Sequence, residues 1–265
     1  MLAITQTSNY YYCVEWVPSE NGPKIIKYNK IIDNNIPFNT SDSIENIINI
    51  FKPISKDESN VLTVSMDINS VGLSSIFIDP DYSKVDYIQW YERNVLGEYF
   101  INFYDTYYLP FNDNQLFVFH LDQAKKNNIM KSVLNSGYKL KNMTLDIFSA
   151  NYFINNSSSK NSSILWKIDN NNYHWIVFNS QVLNDDALLK VRVNNKTNHI
   201  DLLFSIGKKD TISKIIVMLS EILFSDLNNI NLKLDCKIFI YQSKKDATLI
   251  KKIELKNISN IKIID

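Results

Sequence analysis

The sequence predicts an α/β protein built from two lobes that repeat one order of elements. Three observations predict it. The first half runs as a strand meander, an amphipathic helix and a returning strand. The second half repeats that order from residue 164 onward. Between them lies Asn155–Ser163, a polar stretch of small residues with nothing to bury, which reads as a linker.

The first half opens with strands at about Leu2–Thr5, Tyr10–Val17 and Lys24–Ile31. The last two are joined across Ser19-Glu-Asn-Gly22, where Asn-Gly suits a turn with positive φ. Ser41 or Asp42 can cap the next helix, in which Ile44, Ile47, Ile48 and Phe51 recur at i, i+3, i+4 and i+7 before Pro53 ends it. A strand over Val61–Met66 completes an α/β crossover. Val71–Ile78 reads as a further strand, and Val85, Ile88, Glu92 and Val95 line one face of a helix that stops near Gly97. Tyr99–Pro110 is dense in aromatic residues with no basic residue among them. That pattern reads as a partly buried strand beside Gln115–Leu121 rather than a base-stacking platform. Asp122 caps a helix carrying Ile129, Met130, Val133 and Leu134 on one side, Gly137 stands where a left-handed terminal residue belongs, and Tyr138–Leu145 is a strand.

Beyond the linker, strands are expected at about Ile164–Ile168, Tyr173–Phe178, Ala187–Val193 and Ile200–Ile206. A helix from Asp210 or Thr211 places Ile212, Ile215, Ile216, Leu219, Ile222 and Leu223 in a wide apolar stripe that must face a sheet. Strands at Asn231–Tyr241, Leu249–Leu255 and Ile261–Ile264 follow.

Composition limits the function classes. A chain of 265 residues, 45% hydrophobic, is ample for a buried core. Lys plus Arg and Asp plus Glu number 28 each, so no global basic field exists to attract a phosphate backbone, and nucleic acid is a poor partner. Cys13 and Cys236 lie far apart in apolar runs and read as packed thiols, not as a disulfide framework or zinc site. No segment approaches about 18 uninterrupted apolar residues, and no export signal is evident, so the expectation is a cytoplasmic chain without a membrane span. His120, His174 and His199 have no nucleophile or metal-ligand neighbour at motif spacing and read as core, rim and surface residues.

The segment Leu2–Trp16, Leu-Ala-Ile-Thr-Gln-Thr-Ser-Asn-Tyr-Tyr-Tyr-Cys-Val-Glu-Trp, resembles the opening of the actin-like pilus assembly proteins of the PilM type, relatives of FtsA. In that family a strand, an Asp-x-Gly turn with following serines and a second strand run in this order. Val61–Pro80, the helix with Gln89-Trp-Tyr-Glu92, the aromatic strand around Phe103-Tyr-Asp105, and Phe117–Ile154 with its Asn135-Ser-Gly-Tyr138 corner are also similar to the family in order. The resemblance covers most of Met1–Ile154. It implies an actin-like fold of ribonuclease H-like duplicated lobes. The first lobe would span residues 1–154 with a small α/β subdomain inserted at about 67–148, the linker 155–163, and the second lobe 164–265. Between Ile200 and Cys236 there is room for one helix and little more, whereas the family inserts a complete subdomain there, so the second lobe is expected to be reduced.

The resemblance also implies a chemistry. The family binds ATP between its lobes through the backbone amides of two hairpin turns, with an acidic residue in each to handle magnesium and water, and a glycine-rich loop near the adenosine. Glycine is needed where backbone must approach phosphate closely, often at positive φ. Here Thr5 stands at the first acidic position and Thr7 at its glycine position, with Ser8 and Asn9 following. The second turn matches Lys167-Ile-Asp-Asn-Asn171, placing Lys167 at the acidic position and Asp169 at the glycine position, before Asn170 and Asn171. The third loop, Gln242–Ala247, has no glycine. The chain has five glycines where ordinary usage gives roughly 18, and all five lie outside these loops. Gly207-Lys-Lys-Asp-Thr211 has the look of a phosphate loop at a helix start but lacks the upstream glycine, and a helix capped by Asp210 or Thr211 explains it.

The expected function is that of a non-catalytic actin-like scaffold, a pseudo-ATPase of a type IV pilus-like or secretion-type envelope machine. Its partners would be an inner-membrane protein with a short cytoplasmic tail and other assembly-platform proteins, and no cofactor is expected. The alternative is a divergent ATP-binding protein in which Ser8, Asn9, Asp169, Asn170 and Asn171 supply replacement contacts to ATP and magnesium.

Overall fold

The computed structural model describes residues 1–7, 10–20, 22–32, 40–54, 60–157, 162–169, 172–180, 185–225, 236–242, 249, 253 and 261–263. The chain forms two compact units. One comprises Met1–Leu73, Ile78–Tyr108 and Val118–Ser149, and the other Ser74–Phe77, Leu109–Phe117 and Ala150–Asp265.

In the first unit, β1 (Leu2–Gln6), β2 (Tyr11–Val17) and β3 (Lys24–Ile31) form an antiparallel meander. Alternation buries Leu2 and Ile4 on β1 and Tyr11, Cys13 and Glu15 on β2. Helix α1 (Ser43–Phe51) crosses over to β4 (Val61–Met66), which runs parallel to β1. Its stripe Ile44, Ile47, Ile48 and Phe51 is buried, each side chain contributing about 2 kcal/mol. Asp42 sits at the N-cap position but makes no side-chain cap bond.

Between β4 and the last strand of this sheet lie β5 (Gly72–Phe77), α2 (Lys84–Tyr91), a π-helical turn (Glu92–Leu96), α3 (Gly97–Phe103), β6 (Tyr104–Pro110), β7 (Gln115–Asp122) and α4 (Gln123–Asn135). The strands form a three-stranded sheet in the order β5-β7-β6. Asp122 caps α4 by accepting from the Lys125 amide at 2.8 Å, and Gly137 takes φ +79°, both as expected. Ser132 of α4 supplies the cap that α1 lacks: its Oγ accepts from the Ile44 and Glu45 amides at 2.8 and 3.4 Å. Strand β8 (Lys139–Leu145) then pairs parallel with β4, giving the sheet order β3-β2-β1-β4-β8, and α5 (Asp146–Ser157) follows.

Four expectations are corrected here. The helix expected to stop near Gly97 instead passes through a π turn into α3, so Tyr99–Phe103 is helical and the aromatic strand begins only at Tyr104. Ring pairs four residues apart, Tyr99–Phe103 at 4.8 Å and Phe100–Tyr104 at 4.5 Å between centroids, favour the helical spacing over the β-propensity of the residues. Of the expected face, Val85 and Val95 are exposed while Ile88 and Glu92 are half-buried. On α4, Ile129 and Val133 are buried with Ser132, whereas Met130 and Leu134 are exposed. The expected linker begins as helix, since Asn155–Ser157 continue α5; residues 158–161 lie outside the described residues.

The second unit holds β9 (Ser163–Ile168), β10 (Tyr173–Asn179), β11 (Ala187–Asn194) and β12 (His199–Gly207) as an antiparallel meander. Helix α6 (Lys209–Phe224) leads to β13 (Lys237–Gln242), parallel to β9 and to β14 (Ile261–Ile263). The order is β12-β11-β10-β9-β13-β14. Its five strands β11-β10-β9-β13-β14 match β3-β2-β1-β4-β8 in order and in strand sense, and α1 and α6 occupy the same crossover, so the two units are topological repeats with β12 added at one edge. Ile215, Met218, Leu219, Ile222 and Leu223 of α6 pack with Ile164, Trp166, Ile238 and Ile240 in the core of this unit.

Helix α6 starts at Lys209, one turn's edge earlier than Asp210 or Thr211, with Lys208 as the N-cap residue. Leu249 and Ile253, expected in a strand, are helical and buried, and the rest of Leu249–Leu255 lies outside the described residues.

Candidate functional site

The two hairpin turns expected to hold phosphate each belong to their own unit. In the first, Thr5 lies within β1, opposite Tyr12 on β2 and Ser65 on β4. Thr7 is buried. Its amide donates to the Tyr10 carbonyl at 2.9 Å, and its hydroxyl donates to the same carbonyl at 3.2 Å while accepting from the Tyr10 amide at 3.3 Å. The amide and hydroxyl of Thr7 thus both close the hairpin, and its side chain takes up space that a glycine would leave open. Ser8 and Asn9 lie outside the described residues.

In the second turn, Lys167 sits on β9 opposite Trp175 and Tyr241, with its side chain fully buried (0%). Its Nζ is 3.3 Å from Oδ1 of Asp169, itself buried, and the Asp169 amide donates to the Tyr173 carbonyl at 3.0 Å. The two substitutions noticed separately in the sequence are one structural feature. A lysine where a metal-handling carboxylate is expected, and a carboxylate where glycine is expected, form a buried ion pair. Neither charge is stable alone in such a place, because burial strips its hydration and the opposite charge compensates for part of that loss. Asn170 and Asn171, and residues 243–248 of the third loop, lie outside the described residues.

The Gly207–Thr211 segment is also accounted for. Gly207 takes φ +130°, and a Cβ there would lie 2.8 Å from the Asp186 carbonyl oxygen, so glycine serves a close backbone approach. The Thr211 hydroxyl donates to Asp185, whose Oδ1 is 3.7 Å from Lys208 Nζ. The carboxylate of Asp185 therefore meets the first turn of α6, as the helix dipole favours. Neighbouring Asp186 accepts from the Ser180 amide at 3.2 Å; its carboxyl is raised above the usual range by burial and, less, by Asp185.

Sequence reasoning did not single out the buried acids of the first unit. Asp67 accepts from the Asn69 amide and side chain at 2.8 and 3.0 Å, and Asp146 accepts from the Ile68 amide at 2.9 Å. Asp67-x-Asn69 after an apolar strand is the readable signal, an Asx turn. Lys125 reaches the Ser70 carbonyl at 3.4 Å, and burial lowers its ammonium against the opposing pull of Asp67 and Asp122. These groups tie the end of β4 to its neighbours. Among the described residues no cluster of three His, Cys, Asp or Glu is arranged to hold a metal. His120 and His174 are buried and His199 is exposed beside Asp201 at 3.3 Å. Both cysteines are buried thiols outside any disulfide, with Cys13 pushed up to about 12 by burial. No helix among the described residues is long and apolar enough to cross a membrane.

No family model matches the chain, and no curated protein is similar to it in sequence. Solved structures are similar in fold. The PilM–PilN type IV pilus biogenesis complex is 11% identical, with a TM-score of 0.51 over 100% of this chain and 88% of that one. The cytoplasmic domain of EpsL, an inner-membrane component of the type II secretion system of Vibrio cholerae, is 8% identical, with a TM-score of 0.47 over 96% and 93%. A Ppx/GppA family member of Aquifex aeolicus is 7% identical, with a TM-score of 0.35 over 91% and 65%. Together with the repeated sheet topology, the likeness to the PilM–PilN structure gives the chain an actin-like α/β fold.

Proposed function

We propose that this actin-like chain is a non-catalytic scaffold of a type IV pilus-like or secretion-type envelope machine, acting on the cytoplasmic side by binding a cytoplasmic segment of an inner-membrane partner. The observation that carries the reading is the buried Lys167–Asp169 pair. A magnesium–triphosphate at this turn would need a carboxylate facing the metal and free backbone amides facing the phosphate. The turn offers an ammonium already neutralised by its own carboxylate, and the first turn spends the Thr7 amide on Tyr10. Among the described residues of these turns, Thr7, Lys167 and Asp169 do not fit the nucleotide. A fold that persists after its phosphate turns have been filled is best explained by selection on its surfaces. The fold shared with PilM, which is solved in complex with PilN, supports a role in partner binding of this kind.

The test is purification of the tagged full chain from detergent-solubilised membranes of the cells that make it, with crosslinking. The expected outcome is recovery of an inner-membrane protein with a short cytoplasmic tail, together with other assembly-platform proteins. Recovery of soluble proteins only, at full expression, overturns the reading.

A further inference from the structure

The helical arm of the inserted segment presents an unpartnered face. Helices α2 and α3 and the π turn between them have no buried residue in 20 positions. The inward side, Tyr87, Ile88, Tyr91, Leu96 and Phe100, is half-buried. The other sides carry Val85, Trp90, Val95, Tyr99, Ile101 and Phe103, exposed by between 43% and 79%. Single exposed apolar residues need no explanation, but six within 19 positions, three of them aromatic, form a patch of the composition found at interface cores. Aromatic residues offer large contact area at little rotamer cost.

The charges around the patch select the occupant. Residues 79–103 carry five acids, Asp79, Asp81, Asp86, Glu92 and Glu98, against Lys84 and Arg93. All but Glu92 are exposed; Glu92 is half-buried and accepts from the Tyr108 hydroxyl at 3.0 Å. The chain as a whole is neutral, so this acidic excess is local. It disfavours a two-fold contact between copies through this face, which would set like charges opposite one another. We infer that the α2–α3 face docks a basic amphipathic segment of a partner protein, its apolar side on Trp90, Tyr99 and Phe103 and its lysines or arginines on the acidic rim. This deepens the scaffold reading and rests on it for the identity of the partner class.

A synthetic 18-residue amphipathic peptide of Leu, Ala and Lys, and its counterpart with Glu in place of Lys, test the inference by fluorescence anisotropy against the full chain. The basic peptide is expected to bind, with affinity falling at least tenfold in the double variant Trp90→Ala/Tyr99→Ala, falling in Asp81→Lys/Glu98→Lys, and weakening as salt rises from 50 to 300 mM. The acidic peptide is expected not to bind. All four positions are exposed, so unchanged circular dichroism and melting would show the variants folded. Equal binding of both peptides, or binding unchanged in both variants, overturns the inference; so does concentration-dependent dimerisation that the Trp90/Tyr99 variant abolishes, which would make the face a contact between copies. The membrane purification separates the two readings. Undiminished capture of the membrane partner by the Trp90/Tyr99 variant sinks this surface and leaves the scaffold standing. Peptide binding without any membrane partner does the reverse.

Discussion

At the residue scale the account turns on Lys167 and Asp169. Two buried charges 3.3 Å apart hold each other in place, and removing one strands the other in low dielectric. Asp169→Ala is therefore expected to cost about 3–5 kcal/mol in urea unfolding, while Lys167→Met combined with Asp169→Ala costs clearly less than the sum of the single changes. Additive losses would mean that the two residues do not act as a pair. The oddity of these residues was legible in the sequence, as a lysine and an aspartate where the resemblance expects the opposite chemistry. Their pairing was not legible, because Lys167 lies within β9 while Asp169 follows its end at Ile168. Thr7 shows the limit of such reading: a threonine at a turn is unremarkable until its amide and hydroxyl are both seen committed to Tyr10.

At the element scale, local pattern specified the helices that bury a stripe and missed what distant partners decide. The stripe of α1 was readable from the spacing of Ile44, Ile47, Ile48 and Phe51, but its cap was not. Ser132 lies 88 residues from Ile44, whose amide donates to its hydroxyl oxygen. Ser132→Ala is expected to destabilise the first unit by about 1–3 kcal/mol, since it orphans buried amides, and Ser132→Gly should rescue nothing. Helix α3 was misread as strand because aromatic residues favour sheets, and their i, i+4 ring contacts become evident only once the helix is built. Helix α5 was missed altogether, its opening Asp146 having its carboxylate engaged by Ile68 in a neighbouring turn.

The three-stranded sheet β5-β7-β6 carries a pH dependence of its own. His120 on β7 has Nδ1 3.0 Å from the Thr106 hydroxyl, its ring edge-on to Phe100 at 4.8 Å and in contact distance of any Cβ at Gly72. Burial lowers its pKa below 6.5. A folded-state pKa below the unfolded value means that the unfolded chain takes up the proton first. The stability this histidine contributes is thus full above pH 6.5 and is lost as pH falls through the folded-state value. Urea midpoints should drop between pH 7.5 and 5, and the drop should shrink in His120→Asn, which keeps a partner for Thr106 without a titrating ring. An unchanged drop in that variant would assign the effect elsewhere.

At the scale of the molecule, duplication was legible because it survives in the order of elements even where residues have diverged. Five strands of each unit share one order and one set of directions around a crossover helix. Strand β12 was legible at Ile200–Ile206, whereas the helical positions Leu249 and Ile253 were not, since a short apolar run suits strand and helix equally until its neighbours fix it. The proposed scaffold reading requires that the turns carrying Thr7 and the Lys167–Asp169 pair bind no nucleotide. Isothermal titration of ATP with magnesium into the purified full chain tests it most directly. Heats of dilution only are expected, with no saturation to millimolar ATP; a saturable curve with micromolar affinity would contradict the scaffold reading.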